Sequence, residues 1–355
     1  MPPLSDSPLP LSSSGKRWNF PQIPLYKLAE ANLFTQDKLM SLLDKEPADA
    51  VRIQLEDALK HLLDCEESGR GASVESLAGS LSRPRRRAAE ILGLLRGRGL
   101  ATAIGDTHQL TEDGRQYALQ VVRTHRLYET WLARKTSTPP ENWHREAHKA
   151  EHHIQAAEVD ALANSLNNPR FDPHGDPIPT REGHLPKRQL TALASWPDTL
   201  PARIEHIEDE PAVLYLQAQV LGLAPETLIE NPRHLSNGAI EAQIEGRTLT
   251  IPSALTALIH VKSPQADDKP PVDLCRLSDL PIGGKAVIHT LAPSCTGAER
   301  SRLLDLGVVP GTRIECRFAS PFGSPRSYDI RGALIALRNS QADRILIHSP
   351  IIHHA

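Results

Sequence analysis

The chain has 355 residues, too many for one ordinary hydrophobic core, so several domains are expected. Its 39% hydrophobic and 23% charged residues exclude a chain disordered throughout, and a net charge of -3 means that any nucleic-acid surface must be local. Four cysteines, Cys65, Cys275, Cys295 and Cys316, stand apart with no C-x-x-C pair, which argues against a zinc ribbon or a disulfide framework and fits a reducing cytoplasm.

Residues 1–50 read as a tail plus one helix. Six prolines fall before residue 25, together with Ser12-Ser13-Ser14, and a helical pattern then runs from Leu25 to Leu43 until Pro47 closes it. The start lacks the charged-then-apolar order of a signal peptide, and no apolar run reaches the roughly 18 residues of a membrane span. A cytoplasmic protein without membrane contact is expected.

Residues 51–120 read as a winged helix-turn-helix. Leu55, Leu59, Leu62 and Leu63 form one apolar helical face that the Gly69 to Gly71 turn ends. Ser73 is placed to cap a second helix, Val74 to Leu81, and Ser82 to cap a third, with Pro84 near its first position. Ala88, Ile91, Leu92 and Leu95 give that third helix a buried stripe, and Leu100 to Ile104, the Gly105-Asp106 turn and Gln109-Leu110-Thr111 suggest a hairpin. Four arginines in five positions usually mark only a solvated helix end. Here Ser82, Arg83, Pro84, Arg85, Arg86 and Arg87 open the helix that follows a tight turn, where a recognition helix meets phosphates and base edges. Double-stranded DNA is therefore the expected partner.

Residues 121–182 read as helical. Val121, Val122, Leu127 and Leu132 form a stripe, Pro139-Pro140 breaks it, and a histidine-rich segment runs from His144 to His153. At helical spacing His148, Glu151 and His152 stand at i, i+3 and i+4 with His144 one turn earlier, so imidazoles and a carboxylate share a face. His125 and Glu129 stand at i and i+4 on the preceding helix. Imidazole with carboxylate suits Mn, Fe, Co, Ni or Zn, although scattered histidines can also be merely solvated. Asn167 to Pro186 turns to Pro, Gly and Asp and reads as a loop and linker.

The remainder shows an internal repeat. Gly222-Leu-Ala-Pro-Glu-Thr-Leu-Ile-Glu230 matches Gly307-Val-Val-Pro-Gly-Thr-Arg-Ile-Glu315, and both copies close on a short helix and an apolar strand, Leu258-Ile-His-Val261 and Ile345-Leu-Ile-His348. Two five-stranded barrels at 190–262 and 273–349, joined by a polar linker from Ser263 to Pro271, are expected, which makes the chain α+β overall.

These features resemble the metal-dependent transcriptional repressors of the diphtheria toxin repressor and manganese transport regulator type. The resemblance runs from about Val51 to Pro179 and is carried by Val122-Arg-Thr-His-Arg-Leu-Tyr-Glu-Thr-Trp-Leu132, His144-Arg-Glu-Ala-His-Lys-Ala-Glu-His152 and Asp172-Pro-His-Gly-Asp-Pro-Ile-Pro179. The two C-terminal repeats resemble the SH3-like FeoA-type domain, through Leu280-Pro-Ile-Gly-Gly and Gly307-Val-Val-Pro-Gly-Thr. The resemblance implies a homodimer, with metal ligands at His125, His148, Glu151 and His152 and at Asp57 of the first helix, or Glu56 if the register slips by one. It implies an ancillary metal position at Glu129 and His144. The implied cofactor is a divalent transition metal, Fe2+ or Mn2+, with Zn2+ or Co2+ as alternatives. Lys60 stands where manganese-type relatives carry a second acidic ligand, and His148 stands where relatives have Glu or Cys.

Two other readings compete with a repressor that takes no small-molecule substrate. His148-Lys-Ala-Glu-His152 also satisfies the H-x-x-E-H pattern of inverted zinc peptidases. A metal-transport accessory or adaptor would instead work through the two SH3-like repeats.

Overall fold

The computed structural model describes residues 48–186, 188, 190–265 and 274–348, so the expected Leu25–Leu43 helix and most of the Ser263–Pro271 linker lie outside the described residues. The chain forms two compact units: residues up to Tyr128 with Arg145–Arg170 and Pro177–Pro186, and Glu129–His144 with Phe171–Asp176 and the rest of the chain from Lys187.

In the first unit, helix α1 (Ala48–Glu67) buries Leu55, Leu59 and Leu62 completely and Leu63 nearly so. They pack on Leu77 of α2 (Val74–Ser80), on Ile91, Leu92 and Leu95 of α3 (Arg85–Gly97), and on Ala101 and Leu110 of the hairpin β1 (Ala101–Ile104) and β2 (Thr107–Leu110). Each such leucine contributes roughly 1.5–3 kcal/mol of burial. Ser73 caps α2 in a capping box with Ser76. Gly105, with φ +59°, makes the expected turn between Ile104 and its partner Thr107.

The start of α3 corrects the expected cap. Ser82 has φ +50° and lies in the preceding turn, whereas an N-cap residue sits in the extended region. Pro84 takes the cap position instead, because proline pushes the residue before it out of helical backbone and its own φ suits the helix entrance.

Helix α4 (Glu112–Lys135) opens on Glu112 and Asp113 and closes on Arg134 and Lys135, each charge complementing the helix dipole. Gly114 in its first turn lies against the Leu100 carbonyl, where a Cβ would stand 1.8 Å from the oxygen, so no larger residue fits. The histidine-rich helix α5 (Trp143–Glu151) is shorter than expected: His152 and His153 lie in the turn after it, before α6 (Ala156–Ser165). The segment expected to be a linker is fastened down. Arg123 donates to the Pro179 carbonyl and Arg126 to the Pro177 carbonyl, both at 2.7 Å, and Gln120 donates to the Arg181 carbonyl at 2.9 Å. The side chains of α4 thereby satisfy carbonyls that a loop would otherwise leave to water.

The second unit contains two antiparallel sheets. The first runs in the order β3 (Thr191–Ala192), β8 (Ile259–Lys262), β4 (Ala202–Ile207), β5 (Leu228–His234), β6 (Ile240–Ile244), β7 (Arg247–Ile251). The second runs β9 (Leu274–Arg276), β14 (Ile345–His348), β10 (Lys285–Leu291), β11 (Arg313–Ala319), β12 (Arg326–Ile330), β13 (Ala333–Leu337). The orders coincide strand for strand, and both copies place a β-bulge at the same step, between Ile204 and His206 and between Ile288 and Thr290. Each sheet has six strands where five were expected, because a short leading strand pairs at the edge. Each copy also holds a helix that the strand-like reading missed, α7 (Ala212–Val220) and α9 (Gly297–Asp305), besides the expected short α8 (Ser253–Thr256) and α10 (Asn339–Ala342). Helix α7 was illegible because its first five residues, Ala-Val-Leu-Tyr-Leu, are an apolar run with no helical period. Ile204, Tyr215, Ile229, Ile240 and Ile259 fill one core, and Ile288, Leu303, Ile314, Tyr328 and Ile345 the equivalent one.

Candidate metal centre

The leucine face of α1 is fixed in the core, which turns Glu56, Asp57 and Lys60 toward the histidines of α4 and α5. Asp57, His148, Glu151 and His152 then offer one ligand atom each, all within 4.8 Å of one another. His152 Nε2 stands 3.3 Å from both Asp57 Oδ1 and Glu151 Oε1, and His148 Nδ1 stands 3.2 Å from Glu151 Oε1 and 3.8 Å from Asp57 Oδ1. His125 Nδ1 meets the other Glu151 oxygen at 2.5 Å. Asp57 therefore faces the cluster. Glu56 lies behind it, its Oε2 2.6 Å from His152 Nδ1, while Tyr117 Oη and the Arg52 guanidinium donate to the same carboxylate.

That arrangement suits a cation. A carboxylate on Nδ1 fixes the tautomer of His152 and leaves Nε2 as the ligand atom, the usual support of a metal-binding imidazole. Asp57 Oδ1 and His152 Nε2 are both buried without a hydrogen-bond partner, a costly state that an ion between them would relieve. Three carboxylates face two fixed cations, Arg52 and Lys60, so with neutral imidazoles the cluster keeps one negative charge. Burial opposes charge on Glu151, but Lys60, at 2.9 and 3.0 Å from its two oxygens, and then His125 hold its carboxyl well below the usual range. Burial likewise opposes charge on His152, and Asp57 and Glu56 outweigh it, raising the imidazole to about 9. A metal ion bound here would displace the imidazole proton that these carboxylates favour, and the mixed imidazole and carboxylate donors suit a divalent transition ion.

A second cluster lies in the other unit. Glu129 of α4, His174 and Asp209 bring ligand atoms within 4.8 Å of one another. His144 Nδ1 is 3.1 Å from Asp209 Oδ2 and 3.4 Å from Glu129 Oε1, and hydrogen bonds to these two carboxylates raise it to about 10. Both ring nitrogens of His174 are buried without a hydrogen-bond partner, and its ring packs edge-on against Tyr215 at 4.7 Å. His144 belongs with this group, so the single ligand face expected along α5 is divided. Sequence reasoning singled out Glu129 and His144 and missed His174 and Asp209. His174 carried a signal, since it lies inside the Asp172-Pro-His-Gly motif, whereas Asp209 carried none.

At the entrance of α3, Arg83, Arg85 and Arg86 are exposed. Arg85 pairs with Glu75 at 2.7 Å, an exposed pair that constrains the arginine little, and Arg86 reaches the largely buried Glu90 at 3.1 Å while its own side chain stays exposed. Arg87 does not share that surface: its side chain is 16% exposed and its Nε donates to Gln54 of α1 at 2.8 Å. The first turn of α3 carries no acidic residue, so its free amide groups and the three outer arginines present one positive end.

Residues 111–180 match the iron-dependent repressor metal-binding and dimerisation domain, and residues 275–349 match the FeoA domain. The iron-dependent repressor IdeR of Mycobacterium tuberculosis is 34% identical over 122 residues, covering 34% of this chain and 53% of the relative. Its Mycobacterium leprae counterpart is 28% identical over 166 residues, covering 43% and 72%. The chain thus spans about half the length of the first of these relatives. A solved manganese-dependent transcriptional repressor in complex with manganese aligns with 28% identity and a TM-score of 0.55 over 59% of this chain and 99% of its own. The segment that carries Glu151 and His152 is thus similar to the metal-binding and dimerisation domain of iron-dependent repressors, and the last repeat is similar to the FeoA domain.

Proposed function

We propose that this protein is a metal-dependent DNA-binding transcriptional repressor of metal-ion homeostasis, acting in the cytoplasm as a homodimer on double-stranded operator DNA. Its parts in this reading are a winged helix-turn-helix at 51–120, a metal-binding and dimerisation domain at 121–182 and SH3-like domains at 190–262 and 273–349. The primary ligands are Asp57, His148, Glu151 and His152 with His125, and the ancillary ones are Glu129 and His144, joined by His174 and Asp209.

One observation carries the reading: Asp57 and Glu56 stand on α1, the first helix of the reading head, and meet His152 from the α5 side. When bound, a divalent ion would supply a strong electrostatic tie among these groups. The residues do the rest: Glu56 orients His152, Lys60 and His125 hold Glu151, and α1 is thereby fixed relative to α5. A ligand shifts an equilibrium only through its different affinity for two states, and this tie gives such a difference between a head held in register and one that is free. Register matters because a dimer presents two recognition helices to successive major-groove faces. Exposed Arg83, Arg85 and Arg86 would then contact phosphates, with a strong salt dependence.

Glu151 in this arrangement is engaged by Lys60 and His125 and has no freedom to act as the general base of an H-x-x-E-H peptidase. The named relatives are repressors, and the protein is read as no enzyme.

The test is retention of genomic DNA fragments at fixed salt with Mn2+, Fe2+, Zn2+ or chelator, for wild type and His152→Ala. Metal-selective retention of a palindromic fragment, lost in the variant, is the expected result and would identify the ion. Equal retention with chelator would overturn the reading.

A further inference from the structure

The first six-stranded sheet carries a histidine pair that neither cluster above uses. Strands β4 and β8 pair with Ile204 opposite Val261, His206 opposite His260 and Ile207 opposite Ile259. The bulge at Glu205 shifts the alternation by one, so Ile204 and Ile207 both stay in the core and His206 turns to the other face beside His260. Their ring centroids are 5.5 Å apart. That face is not open to water: His206 is only 7% exposed. The turn from Asp172 to Asp176 covers it, with Ile207 N donating to the His174 carbonyl and Gly175 so close that a Cβ would stand 1.9 Å from the Glu205 oxygen. Asp172 holds the turn by accepting from the amides of His174 and Asp176.

We propose that His206 Nε2, His260 Nδ1 and Glu208 Oε1 form a further divalent transition-metal site within this first repeat, separate from both clusters described above. The three ligand groups lie within 4.8 Å of one another, with Glu208 Oε1 3.4 Å from His206 Nε2 and 4.0 Å from His260 Nδ1. Neighbouring ligands of a tetrahedral ion with bonds of about 2.0–2.1 Å stand about 3.3 Å apart, so the His206–Glu208 pair already matches, the His260–Glu208 pair needs to close by about 0.7 Å, and the two imidazoles lie within 4.8 Å of each other. An ordinary ion pair explains His206 with Glu208 but leaves His260 Nδ1 buried without a hydrogen-bond partner. An ion satisfies that nitrogen. His206 Nδ1, also without a hydrogen bond, points toward Asp176 Oδ1 at 3.5 Å, the carboxylate support that Glu56 gives to His152. Arg188, 3.2 Å from the same Asp176 oxygen, anchors that carboxylate. Glu208 and Asp176 against Arg188 leave one negative charge for neutral imidazoles, which favours a cation. Two imidazoles with one carboxylate, and one position left open, suit Zn2+ or a similar transition ion.

The second repeat supplies an internal control. It carries His289 on β10 and His348 on β14 with centroids 4.9 Å apart, yet no group of three ligand residues includes them among the described residues. Among the described residues the site belongs to the first copy alone.

Equilibrium dialysis of the full-length, metal-stripped protein against Zn2+ at pH 7.5 tests this. Wild type, Glu208→Gln/His260→Gln and His289→Gln/His348→Gln are compared, each also in the His152→Ala background. The expected result is one zinc ion fewer per chain in Glu208→Gln/His260→Gln in both backgrounds, and no loss in His289→Gln/His348→Gln. An unchanged count in Glu208→Gln/His260→Gln overturns the proposal, as does an equal loss in the control. Should the double variant fail to fold, Glu208→Gln alone changes a half-exposed residue, and the expected weakening of one zinc site is at least about 10-fold. Three unaltered affinities would overturn the site. Because the count falls whether or not DNA is bound, failure here leaves the repressor reading untouched.

Discussion

Glu56 and Asp57 are adjacent carboxylates of one helix with different tasks. Asp57 presents an unbonded oxygen to His152 Nε2, whereas Glu56 is saturated by Arg52, Tyr117 and His152 Nδ1. Glu56→Gln should therefore keep the fold and lower metal affinity about 10–100-fold by releasing the tautomer of His152. Competition titration against a chromogenic chelator, with a urea melt as control, measures this. Asp57→Asn should cost more, and equal affinities for wild type and Glu56→Gln would remove Glu56 from the site. The arginines divide in the same manner. Arg86→Ala should weaken DNA binding across sequences and reduce the salt slope by about one, as expected for one phosphate contact. Arg87→Ala should leave that slope unchanged and lower stability instead, because Arg87 is spent on Gln54.

At the scale of elements, α1, α2 and the hairpin close over two histidines. Burial lowers the pKa of His61, which lies 2.9 Å from Ser76 Oγ, and burial together with Arg96 lowers that of His108. In the unfolded chain both titrate near about 6.5. Below that value the unfolded state takes up protons that the folded state resists. Their contribution is therefore present above about pH 6.5 and is lost as pH falls toward the depressed folded values. Urea midpoints at pH 7.5 and 5.5 should fall less in His61→Gln/His108→Gln than in wild type. An identical fall would assign the acid sensitivity to other groups. The elements also show what local pattern reveals. The cap at Ser73, the leucine face of α1 and the two-residue turn at Gly105 were legible because a 3.6-residue period and turn chemistry are properties of neighbours in sequence. The start of α3 was misread by two residues, since serine and proline both favour helix entrances and only the backbone twist at Ser82 separates them.

For the molecule as a whole, an ion bound as proposed between α1 and the α4 and α5 residues would bind the folded state alone, so it should stabilise by mass action. At a free concentration 100 times Kd the gain is about 2.7 kcal/mol. Thermal scans with metal and with chelator should differ accordingly in wild type and much less in His152→Ala; equal shifts in both would place the stabilising ion elsewhere. By itself the sequence determined the helical order of the head, the histidine-rich segment and the existence of two matching repeats, because each is written in spacing along one stretch of chain. Tertiary structure alone decided that Asp57 faces His152 across a separation of 95 positions while Glu56 supports it from behind. It also decided that His144 joins Asp209 rather than His148, that Arg87 turns inward, and that a bulge aims His206 at His260. These outcomes depend on how buried faces dock, and docking joins residues whose spacing in sequence carries no information about their distance in space.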